Sequence, residues 1–217
     1  MTQTLILFDL DGTLTDSGEG VTNSAAYALR RFGIVETDPQ RLNRFVGPPL
    51  KSSFMDFYGF DEARAEQAIA YYREYFTDRG ILENRLYPAT KDMLRQCRGA
   101  GKTLALATSK PTVFARQILE NYGLEGYFAH ICGSNLDGSH AVKAEIIAQA
   151  LTDAGVDAAD AVMVGDRKYD VLGAKACGVY CIGVSFGYGG REELTEYGAD
   201  AIVDSMPELA QLICAGQ

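Results

Sequence analysis

The fold of this chain is decided near its N-terminus, by the stretch Leu5-Ile6-Leu7-Phe8-Asp9-Leu10-Asp11-Gly12-Thr13-Leu14. A short apolar run of this kind is typical of a buried parallel strand. Two carboxylates follow at i and i+2, which puts both side chains on the same side of an extended backbone. The stretch therefore predicts that Asp9 and Asp11 converge at the carboxyl end of a strand, where open α/β sheets bind their ligands.

Two patterns divide the rest of the sequence. From about Gly18 to Arg79, apolar residues recur only at helical spacing. Farther along, predicted helices and strands alternate, which is typical of a parallel sheet with helices on both faces. We predict an α/β fold, a Rossmann-like parallel sheet of this kind with an inserted α-helical cap domain. The predicted core comprises residues 1–16 and 85–217, and the predicted cap comprises residues 17–84.

Composition and charge exclude several classes of protein. Hydrophobic residues make up 47% of the 217 residues, so a full core is available and a disordered chain is not expected. The net charge of −9 argues against a nucleic-acid partner, which requires a basic face. Five scattered cysteines predict reduced thiols in a cytoplasmic protein. We expect a monomer or a homodimer. We expect no membrane partner and no signal peptide, because no long apolar stretch occurs.

Two later strands of the predicted sheet also lead into reactive side chains. Apolar runs end in Thr108-Ser109-Lys110 and in Gly165-Asp166-Arg167-Lys168-Tyr169-Asp170. Lys143 stands at the start of a helix between them. Because the carboxyl ends of parallel strands meet at one edge of a sheet, we expect these groups to lie near the N-terminal pair of aspartates.

The order and spacing of these groups resemble the haloacid dehalogenase (HAD) superfamily of phosphohydrolases. The resemblance covers the whole chain and is carried by Asp9-Leu10-Asp11-Gly12-Thr13, Thr108, Lys143 and Gly165-Asp166-x-x-x-Asp170. The helical insert looks like the small helical cap of that superfamily, and the pattern is most similar to its phosphoglycolate phosphatase and 5′-nucleotidase-like members. The resemblance implies a Mg²⁺-dependent phosphatase acting on a small phosphorylated metabolite, with phosphoglycolate and nucleoside 5′-monophosphates as first candidates.

The resemblance also implies catalytic roles that the chemistry supports. Asp9 would be the nucleophile, since an aspartyl-phosphate splits one displacement into two easier steps. Asp11 would protonate the leaving alkoxide and then activate water. Thr108 and Lys143 would hold the remaining phosphoryl oxygens, where positioning and charge neutralisation carry most of the catalysis. Ser109 is a further candidate for substrate binding.

The same resemblance implies a magnesium site made of oxygen ligands. Asp9, the backbone carbonyl of Asp11 and Asp166 would contact the metal, with Asp170 as a ligand or a supporting group. The role of Arg167 stays open, because it could screen the acids or touch the substrate.

One departure from the family pattern leaves the choice of lysine open. Lys143 is followed by Ala144, where relatives often have proline, so Lys110 or Lys168 could neutralise the phosphoryl group instead.

The predicted cap is joined to the core by two short connections. We expect these hinges at Thr15–Glu19 and at about 79–85. The segment Arg44–Lys51 resembles the loop that selects the substrate in HAD relatives. Arg44 and Lys51 are therefore candidates for binding a second anionic group of the substrate, although such side chains are also commonly solvated.

Three other functions compete with this one. Gly183-Val184-Ser185-Phe186-Gly187 matches the nucleophile elbow of serine hydrolases, but His130 and His140 both precede the serine, whereas that chemistry needs a histidine after it. A nucleotide-binding module would need a glycine-rich phosphate loop that the sequence lacks. An inorganic pyrophosphatase, a phosphotyrosine phosphatase or a phosphomutase would use the same site for another reaction, and monoester hydrolysis is the broader expectation.

Overall fold

The protein is built around a parallel β-sheet, seen in a computed structural model that describes residues 1–215. The strands of this part of the chain are β1 (Leu5–Phe8), β2 (Thr15–Asp16), β3 (Arg85–Leu86), β4 (Thr103–Pro111), β5 (His130–Ser134), β6 (Ala161–Gly165), β7 (Tyr180–Val184) and β8 (Ala201–Val203). Six of them form one sheet in the order β5-β4-β1-β6-β7-β8, and every neighbouring pair is parallel. The N-terminal strand is therefore central, between β4 and β6.

Helices cover both faces of this sheet. The α-helices of the described residues are α1 (Gly18–Arg31), α2 (Pro39–Asn43), α3 (Leu50–Tyr58), α4 (Glu62–Tyr75), α5 (Thr90–Gly99), α6 (Thr112–Asn121), α7 (Lys143–Ala154), α8 (Lys168–Cys177), α9 (Gly190–Tyr197) and α10 (Met206–Cys214). None of them combines the length and apolar character needed to cross a membrane. The arrangement agrees with the predicted fold class.

Alternate residues of β1 supply two separate parts of the core. Ile6 and Phe8 pack into a cluster with residues of α5, α6 and α10, and Leu5 and Leu7 pack into another with residues of α7, α8 and α9. All four side chains are fully buried, and such burial stabilises the fold by about 1.5–3 kcal/mol for each large apolar side chain. The central strand is thereby fixed, and so is the position of the acids that follow it.

The helices α1–α4 form an insert between β2 and β3. These two short strands pair antiparallel, so both connections between the insert and the sheet run side by side. A π-helical turn, Phe76–Gly80, follows α4 and returns the chain to the base of α1. There Gly20 lies against the carbonyl of Gly80, and a Cβ at Gly20 would overlap it. The division into core and cap at residues 17–84 stays a prediction.

Three elements differ from the sequence prediction. The sequence pattern predicts a strand around 128–131, but β5 begins at His130, because Phe128 follows a 3₁₀ turn and packs edge-on against Phe8. Helix α3 begins directly after Pro48-Pro49, which the sequence indicated only as a break. Helix α9 was not expected, since Leu194 is its single buried residue and one apolar residue gives no periodic pattern.

Candidate active site

Asp9 lies immediately after β1 and is almost completely buried. Its backbone N–H donates to the carbonyl of Val164 in β6, over 2.9 Å, which extends the ladder of the sheet by one residue. Its carboxylate accepts the Leu10 N–H at Oδ1 over 2.7 Å and lies 3.0 Å from the Lys143 Nζ at Oδ2. The strand end thus fixes one carboxylate oxygen and leaves the other paired with an ammonium group.

Lys143 is the first residue of α7 and reaches into the site from its edge. Its Nζ lies 3.0 Å from Asp9 Oδ2 and 2.8 Å from Asp170 Oδ1, and it donates to the Ala107 carbonyl over 3.1 Å. Burial lowers the pKa of Lys143, but the carboxylates of Asp170 and Asp9 outweigh this effect and raise it. The lysine is therefore a charged group inside the site, and it is not a solvated surface side chain.

Asp166 follows β6 and is fully buried. Its Oδ2 accepts the Tyr188 N–H over 2.7 Å, and its Oδ1 accepts the Thr13 hydroxyl over 3.3 Å. Gly12 packs against this carboxylate with φ of 81°, and a Cβ there would overlap the Asp166 oxygens. The glycine of the first motif is therefore required so that the acids after β1 and β6 can approach each other.

Asp170 serves two purposes at the start of α8. Its Oδ2 accepts the Arg167 N–H over 3.0 Å, which is the hydrogen bond expected of an acid that caps a helix N-terminus. Its other oxygen, Oδ1, faces the Lys143 ammonium. The capping interaction and the site interaction use different oxygens of one carboxylate.

Three of these acids form a group that suits a metal ion. One carboxylate oxygen each from Asp9, Asp166 and Asp170 lies within 4.8 Å of the others, and all three residues are buried. Against them stands the single ammonium of Lys143, which leaves a formal excess of two negative charges. Burial, together with the neighbouring Asp170, raises the pKa of Asp9 and raises that of Asp166 well above its usual range. The residues thus fit Mg²⁺, which prefers carboxylate oxygens.

Asp11 is not part of that group, and its side chain pairs with a different lysine. The Nζ of Lys110 lies 3.0 Å from Asp11 Oδ2, and both side chains are almost fully buried. The same ammonium lies 4.7 Å from the centre of the Phe76 ring, which belongs to the helical insert. Lys168, the other lysine left open by the sequence, lies over the rings of Tyr169 and Tyr197.

Thr108 and Ser109 lie in the last part of β4. Thr108 is buried, and its hydroxyl is one of the groups that counter the effect of burial on the pKa of Asp9. The Ser109 hydroxyl donates to the Ala141 carbonyl over 3.1 Å, on the wall of a cleft between the insert and the sheet. The structure therefore brings Thr108 to the acids and places Ser109 at the entrance to them.

The cleft has a volume of about 200 Å³ and reaches from Asp11 to the insert. Much of its wall is apolar and aromatic, and the large side chains that form this part are Phe45, Ile69, Tyr72, Phe76 and Phe114. Polar groups lie among them, including Lys51 and Glu66 of the insert.

The two insert cations named by the sequence already have partners. Lys51 Nζ lies 3.5 Å from Glu62 and 3.2 Å from Glu66, so its charge is balanced within the insert. The Arg44 guanidinium lies 3.9 Å from the centre of the Phe57 ring. Lys51 lines the cleft, and Arg44 does not belong to its lining.

Arg167 connects the sheet to the insert. Its Nε lies 3.0 Å from Glu193 of α9, and its Nη1 donates to the carbonyl of Val46 in the insert. Arg73 of α4, which lines the cleft, donates to the carbonyl of Leu136 in the loop after β5. Sequence reasoning left the role of Arg167 open and did not identify Arg73, because both contacts are to backbone carbonyls, which no residue pattern indicates.

The elbow-like serine has other partners. The Ser185 hydroxyl hydrogen-bonds Asp204 and the Val203 carbonyl, and within the described residues no hydrogen bond joins it to a histidine. Among the described residues, Ser185 therefore lacks the histidine base that a serine nucleophile needs.

Comparison with known proteins extends these observations. A family model described as haloacid dehalogenase-like hydrolase matches residues 6–184. A 5′-nucleotidase of Pseudomonas aeruginosa is 49% identical over 200 residues, 90% of each chain. The tyrosine-protein kinase PtkA of Mycobacterium tuberculosis is 40% identical over 185 residues, which are 85% of this chain and 63% of that one.

Two further comparisons point the same way. A phosphoglycolate phosphatase of Vibrio parahaemolyticus is 29% identical over 217 residues, 96% of this chain and 95% of the relative. The crystal structure of a predicted phosphatase from Clostridium acetobutylicum superposes with a TM-score of 0.96 at 48% identity, covering 98% of this chain and 99% of that one. The resemblance predicted from the four motifs is confirmed: the chain belongs to the haloacid dehalogenase-like hydrolases and is a phosphoric monoester hydrolase.

Proposed function

We propose that this phosphatase depends on Mg²⁺ and hydrolyses a small phosphorylated metabolite through an aspartyl-phosphate on Asp9. One observation carries the proposal. Three buried carboxylates, those of Asp9, Asp166 and Asp170, surround one ammonium and keep an excess of negative charge. Uncompensated buried charge is costly. We therefore expect a bound cation to balance the excess negative charge of these carboxylates when the phosphoryl group is in place.

The first half of the reaction forms the covalent intermediate. An oxygen of Asp9 attacks phosphorus, the bond from phosphorus to the ester oxygen breaks, and its electron pair stays on the leaving oxygen. Asp11 donates a proton to that oxygen and releases an alcohol. Thr108 and Lys143 hold the other phosphoryl oxygens during the transfer.

The second half removes the phosphoryl group from the enzyme. Asp11, now a carboxylate, takes a proton from water, whose oxygen attacks phosphorus while the bond to Asp9 breaks. Asp9, Asp166, Asp170 and the backbone carbonyl of Asp11 would hold Mg²⁺, which when bound supplies positive charge that offsets the repulsion between carboxylate and phosphoryl oxygens. Inorganic phosphate then leaves.

Between the two candidate substrates, the cleft favours a nucleoside 5′-monophosphate over phosphoglycolate. Phosphoglycolate carries a second anionic group, and the two insert cations that line the cleft already have partners: Lys51 is balanced by Glu62 and Glu66, and Arg73 donates to the Leu136 carbonyl. The aromatic wall offers contact to a flat, uncharged leaving group instead. That the P. aeruginosa relative is a 5′-nucleotidase supports the same choice.

Release of phosphate from a matched panel tests these assignments. The purified protein should hydrolyse nucleoside 5′-monophosphates with a higher kcat/KM than phosphoglycolate, sugar phosphates, pyrophosphate or phosphotyrosine. EDTA should abolish activity, and added Mg²⁺ should restore it. Activity that survives chelation would remove the metal role, and a preference for pyrophosphate or phosphotyrosine would establish one of the alternative reactions. Appearance of an isomeric phosphate ester without free phosphate would indicate a phosphomutase.

The remaining assignments are part of the same proposal. Residues 17–84 act as a cap over a core of residues 1–16 and 85–217, and the protein works in the cytoplasm as a monomer or homodimer. The side-by-side pairing of β2 and β3 supports a common hinge. Light scattering of the eluted protein gives the oligomeric state, and cell fractionation gives the compartment.

A further inference from the structure

The steps described above use no property of Lys110, although this lysine is among the most deeply placed cations in the described structure. Its side chain is 6% exposed, its Nζ lies 3.0 Å from Asp11 Oδ2, and the Phe76 ring covers it from the insert. A lysine is almost never buried without a specific partner, because removing an ammonium from water is costly. Its position therefore needs an explanation.

The two oxygens of the Asp11 carboxyl group have different surroundings. Oδ2 is held by Lys110, whereas Oδ1 is buried and accepts no hydrogen bond from any residue within 1–215. Buried carboxyl oxygens are normally satisfied, so an orphaned oxygen beside a substrate cleft indicates a partner that arrives with the substrate.

The backbone of β4 places the lysine there. Its pairing with β5 shifts register between Thr108 and Pro111, an irregularity of the kind that re-aims side chains beside active sites. The shifted backbone brings the Lys110 carbonyl against Gly133 of β5, where a Cβ would come within 2.6 Å of the carbonyl oxygen. The irregular end of β4 thus determines where Lys110 lies.

We propose that Lys110 is a positioning residue for the proton transfer by Asp11. By holding Oδ2, it orients the carboxyl group so that Oδ1 carries the proton to the leaving oxygen as the bond between that oxygen and phosphorus breaks. Lys110 itself donates a hydrogen bond and transfers no proton. The proposal rests on the proposed function, since it concerns the acid step of that reaction.

Substrates with different leaving groups separate this role from a structural one. The p-nitrophenolate anion is stable and leaves without a proton, whereas an alkoxide needs one. Lys110→Met should therefore lower kcat for an alkyl phosphate by about 100-fold, as expected for losing an oriented general acid, and lower kcat for p-nitrophenyl phosphate by less than about fivefold. Lys110→Gln, which keeps an amide donor and the bulk of the stem, should show the same selectivity to a smaller degree.

A double-mutant cycle with Asp11→Asn tests whether the lysine acts through the acid. In the Asp11→Asn background, Lys110→Met should cause no further loss with the alkyl phosphate, because the residue that it positions is gone. Lys91→Met, a change at an exposed lysine of α5, is the matched control and should leave both substrates unaffected. Melting curves show which variants are folded.

Each result decides the matter. A wild-type protein inactive on every ester would overturn the proposed function and this inference together. With an active wild type, equal losses on both substrates in the folded variants, or additive losses in the cycle, would show that Lys110 is a structural counter-charge only and would overturn the inference alone.

Discussion

Asp166, a proposed metal ligand, is also a weak point in the stability of the fold. It is fully buried, and burial and the nearby Asp170 and Asp9 raise its pKa well above the usual range. An acid whose folded-state pKa is raised costs stability progressively as the pH rises above its unfolded pKa, and the full cost is present above its folded pKa. At neutral pH without metal, burial of Asp166 therefore opposes folding, and a bound cation would reverse this effect.

Asp166→Asn should consequently separate stability from metal binding. The amide keeps an acceptor for the Tyr188 N–H but removes the charge, so the metal-free variant should melt at a higher temperature than the metal-free wild type at neutral pH. Saturating Mg²⁺ should stabilise the wild type, by about 2.7 kcal/mol at 100 times Kd, and leave the variant unchanged. Differential scanning calorimetry with and without EDTA measures both. A variant that melts lower and still responds to Mg²⁺ would contradict the assignment.

Asp9→Asn tests the nucleophile. The amide cannot form the acyl phosphate, so phosphate release should fall by at least about 10³-fold, the scale seen when a covalent nucleophile is removed. The fold should persist, since the Leu10 N–H can still donate to the amide oxygen. Asp78→Asn, at an exposed acid of the insert, is the matched control and should retain full activity. Turnover of the Asp9 variant comparable with that of the wild type would exclude this residue as the nucleophile.

At the scale of residues, strand geometry predicted where the acids lie but not which lysine contacts which acid. The i and i+2 spacing after β1 puts Asp9 and Asp11 at one sheet edge, and the structure brings Asp166 and Asp170 there as well. Which lysine meets which acid depends on the irregular end of β4, and local sequence does not encode that register shift. Their catalytic roles stay predictions.

At the scale of elements, two arginines make hydrogen bonds between the insert and the rest of the fold. Arg167, at the start of α8, donates to the Val46 carbonyl, and Arg73 of α4 donates to the Leu136 carbonyl. The two contacts lie at different places around the cleft, while β2 and β3 tie the insert to the sheet at its base. A hydrogen bond from a charged donor contributes about 1.5–3 kcal/mol, so each contact stabilises the arrangement in which the insert lies against the sheet, which we call the closed form.

Replacing either arginine by methionine should loosen that arrangement. Losing about 1.4 kcal/mol would shift the ratio of closed to open forms tenfold, and kcat/KM should fall in proportion to the lost population of the closed form, by up to about tenfold. Hydrogen exchange of the β2 and β3 amides should rise in both variants. Arg95→Met removes an exposed ion pair with Asp92 on α5 and serves as the control. Unchanged exchange and unchanged kinetics in both cleft variants would show that neither contact governs closure.

At the scale of the whole molecule, the sequence predicted the architecture without the strand order. Alternating helices and strands require a parallel sheet, and every carboxyl end of such a sheet lies on one edge, which sufficed to gather the site residues. The order β5-β4-β1-β6-β7-β8 depends on which crossovers pack together, and no periodic pattern reports that. The short helices α3 and α9 were not predicted, because each spans fewer than ten residues, α3 directly follows two prolines, and α9 buries only Leu194.

The charge of the whole molecule should also contribute to the choice of substrate. The net charge of −9 repels anions at long range, and phosphoglycolate carries one negative charge more than a nucleoside monophosphate. The range of this repulsion falls from about 30 Å at 0.01 M to about 10 Å at 0.1 M ionic strength. With Mg²⁺ held constant, added KCl should screen the repulsion of phosphoglycolate more than that of the nucleotide. The ratio of kcat/KM for the nucleotide to kcat/KM for phosphoglycolate should therefore fall. A preference that does not change with salt would mean that short-range contacts within the cleft set the selectivity, with no contribution from the overall field.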